Sequence, residues 1–242
     1  EMDILAKHKD LISVEVTLNH LTLNAPDCYE QLGAFAQMNP PVRDLIHQTG
    51  LWAAIQNGIV DVIGSDHAPH TVEEKERPYP SSPSGMPGVQ TSLPLLLNHM
   101  HEGRLSLERI VDLTSAGPQR LFGIAAKGRI AIGYDADLVI LDMEMKKKAN
   151  NLLSKCKWSP FENKTLTGWP IVTIVNGKIV YLHNKIIKHK KNTKPKLYET
   201  NNEVDVIANT AGIFLKEMKV GTTVHTGQQI GEIRDIISGK RL

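Results

Sequence analysis

The stretch Ile59-Val-Asp-Val-Ile-Gly-Ser-Asp-His-Ala-Pro-His70 decides which fold the sequence predicts. Its first five residues are apolar and β-branched apart from Asp61, which indicates a short buried strand. A carboxylate and two imidazoles follow at once, in Asp66, His67 and His70. In parallel α/β barrels the active site lies at this carboxyl end of the strands. The stretch therefore predicts an α/β protein with a functional loop over residues 64–70.

Strand and helix patterns alternate around this stretch. Upstream, Leu11-Ile-Ser-Val-Glu-Val-Thr17 is rich in β-branched residues and predicts another strand. A Pro/Asn/Asp-rich loop is expected after it, with Asn24-Ala-Pro-Asp27 and Asn39-Pro-Pro41. Thr71-Val-Glu-Glu74 has the spacing of a capping box, so a helical turn is expected there. Apolar residues at helical spacing predict helices over residues 1–11, 43–57, 91–101, 106–115 and 118–124.

The pattern becomes β-rich after Lys127, where residues 128–142 read as turn, strand, turn and strand. Residues 170–181 read as a hairpin, because Asn176-Gly177 stands between two β-branched runs. Residues 185–196 hold six lysines and predict a solvated linker, with a polyanion-binding patch as the alternative. Short strands punctuated by glycine follow it and suggest a small barrel or sandwich.

Composition excludes several classes of function. The 242 residues hold 28 Lys and Arg against 26 Asp and Glu, and a net charge of +2 does not favour nucleic acid. No apolar run approaches the roughly 18 residues of a membrane span. Two cysteines cannot build a disulfide framework, and no leader-like sequence begins the chain. We therefore expect a cytoplasmic protein with no membrane or nucleic-acid partner.

Asp66 and His70 are the first candidate site residues. A carboxylate suits Zn²⁺ and can carry a proton to and from a reacting group, and a histidine can donate to a substrate carboxylate. A loop aspartate that caps the next helix and a histidine in ordinary hydrogen bonds are the alternatives, and both readings stay open.

Two further loops add candidates. Asn39 follows Gln37-Met38 and precedes two prolines, and its amide offers the donor and acceptor that a cyclic amide edge needs. Gly85, in Ser82-Pro-Ser-Gly-Met-Pro-Gly88, allows a close backbone approach. Either loop read alone also fits a plain connector. Glu15 could reach the same site or be a paired surface carboxylate, and His20 is predicted to be a packed histidine.

In this order the motifs resemble the C-terminal half of a class I dihydroorotase, over about residues 1–187. Hydantoinases and allantoinases share the barrel of this cyclic amidohydrolase group and match the motifs less well. The resemblance rests on Met38-Asn-Pro-Pro-Val-Arg43, Val62-Ile-Gly-Ser-Asp-His-Ala-Pro-His70, Glu73-Glu-Lys75, Ser84-Gly-Met-Pro-Gly88, the 128–138 segment and the 159–168 segment.

The resemblance implies a zinc-dependent hydrolase that interconverts dihydroorotate and carbamoyl aspartate in pyrimidine biosynthesis. Asp66 matches a ligand of the binuclear Zn²⁺ centre that also shuttles the proton. Asn39 matches a ring contact, His70 the residue that binds the substrate carboxylate, and Ser84 and Gly85 the loop whose backbone holds the ring. Glu15 matches a residue that touches an extra zinc in some relatives.

The other metal ligands of that family would all lie upstream of Glu1. The expected domains are the last two strands and helices of a (β/α)8 barrel over 1–126, a β-sandwich segment over 127–187 and a Lys-rich linker over 188–199. We therefore expect negligible activity from this chain alone. It would be a fragment, a half completed by an N-terminal polypeptide or second copy, or a non-catalytic relic that binds a partner.

The tail resembles a second group more weakly. Residues 200–242 are similar to the small β-barrel of lipoyl/biotinyl-like domains and to the C-terminal barrel of desuccinylase/aspartoacylase-type deacylases. Lys219, in Glu217-Met-Lys219, is not placed as a modified lysine would be, so neither biotin nor lipoate is expected.

Overall fold

The computed structural model describes residues 2–188 and the backbone of two strands beyond them. A 3-10 turn covers Gly33–Ala36 and a π-helical turn covers Asp112–Ala116. The helices are α1 Met2–Lys7, α2 Leu18–Thr22, α3 Asp27–Leu32, α4 Leu45–Gln56, α5 Val72–Lys75, α6 Ser92–His101, α7 Leu107–Val111 and α8 Gly117–Phe122. The strands are β1 Glu15–Thr17, β2 Val62–Gly64, β3 Leu138–Lys148, β4 Thr165–Val175, β5 Lys178–Leu182, β6 Lys185–Ile186, β7 Gly212–Lys216 and β8 Gly231–Asp235. None of the helices in these ranges combines the length and the apolar character that a membrane span requires.

Strands β1 and β2 are parallel, with Glu15 opposite Val62 and Thr17 opposite Gly64. Their connection runs through α2, α3 and α4, which is the crossover that a parallel pair needs. Both strands therefore end at the same edge, and the loop after β2 starts there. The strands are shorter than the predicted 11–17 and 59–63, because the ladder is confined to three residue pairs.

One large apolar core lies beneath this pair. It joins helix α6 to the helical connection and to β4, through buried Leu95, Leu97, Trp52, Phe161 and Trp169. A smaller core lies under the loops at the carboxyl edge and is made of Cys28, Ala36, Met38, Val42, Met86, Cys156 and Trp158. The helix Asp27–Leu32 lies in a segment predicted as loop, and burial of Cys28 in this smaller core accounts for it.

The β-rich region forms an antiparallel sheet in the order β3-β4-β5-β6. The predicted hairpin is confirmed, since Val175 pairs with Lys178 around Asn176 and Gly177, both at positive φ. The strand expected within 128–137 is absent, and β3 begins only at Leu138. Strands β7 and β8 pair antiparallel. The rest of the predicted 200–242 barrel and the predicted 188–199 linker apart from Lys188 lie outside the described residues, so the C-terminal barrel is unsupported.

Gly117, the first residue of α8, lies close to the backbone just before β2. A Cβ there would lie 2.6 Å from the carbonyl oxygens of Asp61 and Asp112, both backbone atoms that cannot swing away. We expect Gly117→Ala to lower the free energy of unfolding by about 1–3 kcal/mol, measured by denaturant titration. Gly50, in α4, is the matched control, because a Cβ there meets nothing within 4 Å. Gly50→Ala should stabilise by about 0.5–1 kcal/mol, and equal effects of both variants would contradict the packing argument.

His99 gives the fold a pH dependence. Its ring lies in the core against Trp52, with Nε2 3.0 Å from Thr22 Oγ1 and Nδ1 3.1 Å from Glu102 Oε2. Burial lowers the pKa of His99 below 6.5, against the opposing pull of Glu102. The unfolded chain therefore binds a proton more readily, and stability is lost as the pH falls below about 6.5.

We expect the free energy of unfolding to fall between pH 7 and pH 5, by at most about 1.4 kcal/mol per pH unit from this one group. In His99→Gln the fall should be smaller, whatever its stability at pH 7. Denaturant titrations of both proteins at the two pH values measure this, and parallel pH profiles would refute it.

Candidate active site

Three loops meet at the carboxyl edge of the strand pair. The first follows β2 and covers residues 65–70, the second covers 37–41 and the third covers 82–88. Glu15, on β1, borders the same edge, since its Oε1 lies 2.4 Å from where a Cβ on Gly64 would be. Gly64 therefore leaves the space that the Glu15 carboxyl group fills.

The loop after β2 turns sharply at Asp66, which has a φ of 42°. Asp66 and His67 are exposed. The backbone N–H of Gly88 donates to His67 Nδ1 at 3.1 Å, so a neutral His67 carries its proton on Nε2. Ala68 donates its backbone N–H to Met86 O at 3.1 Å, which fixes this loop against the 82–88 loop.

His70 lies between the 82–88 loop and helix α5. Its Nε2 is 3.1 Å from Ser84 O, and its Nδ1 is 3.8 Å from Glu74 Oε2. Glu74 also closes the predicted capping box, which is confirmed by reciprocal hydrogen bonds with Thr71. The indole Nε1 of Trp158 donates to His70 O at 2.7 Å. The imidazole is one-third exposed, so it is held in place yet open to a ligand.

Lys75, the last residue of α5, is fully buried beneath these loops. Its Nζ donates to Pro83 O at 2.8 Å, to Gln37 O at 3.1 Å and to Gly85 O at 3.1 Å. The ring centroid of Trp158 is 5.9 Å from the same nitrogen. Burial lowers the pKa of Lys75. One ammonium group therefore joins the loop that leads into Asn39 to the loop of Ser84 and Gly85.

Asn39 itself is exposed, and its loop is tied down on both sides. On one side, Gly85 donates its N–H to Gln37 O at 2.9 Å. On the other, His20 Nε2 is 3.0 Å from Pro40 O, while His20 Nδ1 is 2.6 Å from Thr17 Oγ1. His20 is thus a hydrogen-bonded histidine that supports the loop.

The close approach that Gly85 permits is to the neighbouring loop. Gly85 has a φ of 121°, and a Cβ there would lie 2.4 Å from Ala68 Cβ. Its N–H and C=O already bond Gln37 O and Lys75 Nζ. Ser84, by contrast, is exposed, and its C=O lies 3.1 Å from His70 Nε2.

The predicted site residues fall into two sets. The structure brings His70, Ser84, Gly85 and the segment leading to Asn39 into one hydrogen-bonded arrangement. Asp66 lies on the adjoining loop, but nowhere in residues 2–188 do three or more His, Cys, Asp or Glu side chains cluster as a metal would require. A catalytic zinc needs about three protein ligands, so the described residues alone do not fit a zinc centre.

Three contributors were not predicted from the sequence as members of the site. They are Lys75, His67 as an acceptor of backbone N–H groups, and Trp158, which contacts both Lys75 and His70. A signal for Lys75 existed, since a lysine at the end of a capped helix faces a Pro- and Gly-rich loop. Nothing near Trp158 in the sequence points to His70, which is 88 residues away.

Comparisons with known proteins place the chain among cyclic amide hydrolases. A dihydroorotase of Halobacterium salinarum is 43% identical over 169 residues, which are 69% of this chain and 40% of that protein. A dihydroorotase of Methanosphaera stadtmanae is 42% identical over 187 residues, 76% of this chain and 42% of the relative. An L-hydantoinase of Paenarthrobacter aurescens is 40% identical over 168 residues, 66% of this chain and 36% of the relative.

A solved structure agrees with these relatives. The L-hydantoinase (dihydropyrimidinase) from Arthrobacter aurescens superposes with a TM-score of 0.73 at 33% identity, over 77% of this chain and 44% of that chain. The chain thus spans about two fifths of the length of its relatives. The model of the Amidohydrolase family matches residues 1–180. With three quarters of the chain matched and the fold shared, this chain belongs to the Amidohydrolase family.

Proposed function

We propose that this chain is the C-terminal part of a dihydroorotase, which hydrolyses the cyclic amide of dihydroorotate to carbamoyl aspartate in pyrimidine biosynthesis. In this proposal β1 and β2 are the last two strands of an eight-stranded barrel. The observation that carries it is the convergence of His70, Ser84 and Gly85 with the segment before Asn39, at the carboxyl edge of β2. The names of the dihydroorotase relatives support the choice of substrate.

Each candidate residue has a separate role in the proposed hydrolysis. Hydrolysis adds water to the ring carbonyl carbon and breaks the bond from that carbon to nitrogen. Asp66, exposed at the loop after β2, accepts the proton that the water loses and delivers it to the departing nitrogen. The new carboxylic acid then ionises, so one water is consumed and one proton is released to the solvent. His70 donates to the substrate carboxylate, and Asn39 and the backbone of Ser84 hold the ring. Gly85, whose N–H and C=O bond Gln37 O and Lys75 Nζ, keeps the Ser84 loop in place for that contact.

Relatives of the dihydroorotase type are generally metal-dependent, and Zn²⁺ is the metal we propose. Asp66 would supply one ligand. The remaining ligands must come from residues outside the described part of the chain, since those residues hold no cluster that could supply them. We propose an N-terminal polypeptide of the same family as the source, in a cytoplasmic assembly.

Hydrolysis of a hydantoin is the second candidate. It is favoured by the similarity to L-hydantoinases in both sequence and structure. The two substrates differ at the carboxylate, which dihydroorotate carries and a simple hydantoin lacks. His70 is therefore the residue at which the two candidates diverge.

A non-catalytic subunit is the third candidate. The lack of a metal-ligand cluster among residues 2–188 favours it. A stable assembly that contains this chain and has no hydrolytic activity on either ring would support it over both enzymes.

The full chain with added Zn²⁺ tests the proposal in two preparations. Alone, it should show negligible ring opening, because one carboxylate cannot hold the metal. Co-expressed with the part of the Methanosphaera stadtmanae dihydroorotase that this chain does not match, it should open dihydroorotate. The loss of the ring's ultraviolet absorbance measures this reaction.

Asp66→Asn is the matched variant, because it keeps the size of the side chain and removes the proton acceptor. It should lower the turnover of the co-expressed complex by about 100-fold or more. A stable, zinc-loaded complex that opens hydantoin alone would support the second candidate, and full turnover by the chain alone would overturn the metal argument.

His70→Ala should raise the KM for dihydroorotate in the same complex by about 10-fold or more, since a charge-assisted hydrogen bond contributes about 1.5–3 kcal/mol. Its effect on the opening of an uncharged hydantoin should be much smaller. His101→Ala is the control, because that imidazole hydrogen-bonds Met143 O, on β3, away from the three loops. Equal losses for the charged and uncharged rings would contradict the role assigned to His70.

A further inference from the structure

We propose that Lys75 is a positioning residue that clamps the two substrate-holding loops together and so determines the affinity for the ring. This inference rests on the proposed function, because it concerns the same site. It adds a residue for which the sequence analysis assigned no role. Lys75 touches neither the substrate nor the reacting atoms in this proposal and acts through the loops that do.

The first argument is the hydrogen bonding of the ammonium group. Its three N–H donors are matched by three backbone carbonyl oxygens, at 2.8–3.1 Å. A buried ammonium with no such partners would cost several kcal/mol, so the cation is stable only while all three carbonyls stay in place. The carbonyls belong to Gln37, Pro83 and Gly85, which lie on two separate loops.

The second argument is where those carbonyls lie. Gln37 is two residues before Asn39, and Pro83 and Gly85 flank Ser84. Gly85 also donates its own N–H to Gln37 O. This one carbonyl oxygen therefore accepts from both Lys75 Nζ and the 82–88 loop. A displacement of either loop therefore breaks bonds to the other.

The third argument is the set of contacts that fix Lys75 itself. Ser82 Oγ donates to Lys75 O at 3.2 Å, and the capping box fixes the first turn of α5. Trp158 places its ring 5.9 Å from Nζ and also donates to His70 O. Trp158 thus contacts both Lys75 and His70. It thereby fixes the position of the proposed carboxylate contact relative to the proposed ring contacts.

Asp66 lies outside this clamp. None of the bonds to Lys75 involves the 65–70 loop, and Asp66 is exposed at its turn. Loss of the ammonium should therefore weaken ring binding more than it slows the proton transfer assigned to Asp66.

The first test measures amide hydrogen exchange in the full chain by NMR. Lys75→Met keeps the length of the side chain and removes the donors, and we expect the Gly85 amide to exchange at least 10-fold faster. The exchange rate of the Leu95 amide, which lies in α6 and donates to Thr91 O, should be unchanged. Lys147→Met is the control, since that lysine also lies over an indole, Trp169 at 4.8 Å, but on β3.

Unchanged exchange at Gly85 overturns the clamp. Faster exchange at Leu95 as well would mean a general loss of stability and would also overturn it. Neither result depends on activity, so a failed clamp is distinguishable from a failed proposed function.

The second test is steady-state kinetics of the co-expressed complex with dihydroorotate. Lys75→Met should raise KM at least 10-fold and change kcat less than 3-fold, and Lys75→Gln, which keeps two donors, should recover part of the loss. A fall in kcat with KM unchanged overturns the positioning role. If the wild-type complex opens no ring while Gly85 exchange responds as expected, the proposed function fails and the clamp remains.

Discussion

The ammonium group of Lys75 is the interaction on which the arrangement of the candidate site depends. It lies fully buried, and burial of a charge is tolerated only where hydrogen bonds replace the water that is lost. The three carbonyls that replace this water come from both loops at the carboxyl edge of β2. Each loop therefore stabilises the charge only while the other is in place, and two segments with little regular structure acquire one defined geometry.

The β-rich region contributes to this geometry from a distance along the chain. Trp158 precedes β4, yet its indole donates to His70 O and lies beside Lys75, and its ring meets Phe35 edge-on with centroids 5.0 Å apart. The floor of the site is thus built from the segment before Asn39, the segment around α5 and the segment before β4. The family match through residue 180 covers all three of these segments together with β3 and β4.

The proposed substrate contacts and the proposed metal ligands are unequally represented in the described residues. His70, Ser84, Gly85 and the approach to Asn39 form one connected arrangement, whereas Asp66 has no cluster of further ligands around it. In the proposed reaction this part of the protein binds and orients the ring and carries the proton, and the remaining metal ligands belong to another segment. That division fits a chain that spans about two fifths of the length of its relatives.

The sequence by itself determined the features whose signals are local. The capping box at Thr71, the Asn176-Gly177 hairpin and the α/β order around β2 all follow from residues a few positions apart, and the structure contains each of them. Only the tertiary structure decided that α3 forms within an expected loop, that no strand precedes Leu138 in residues 128–137, and that Lys75 joins the loops. The physical reason is that these outcomes depend on burial and on hydrogen bonds between distant residues. Lys75 and Gln37, for example, are 38 positions apart. Such pairs leave no pattern in the local sequence.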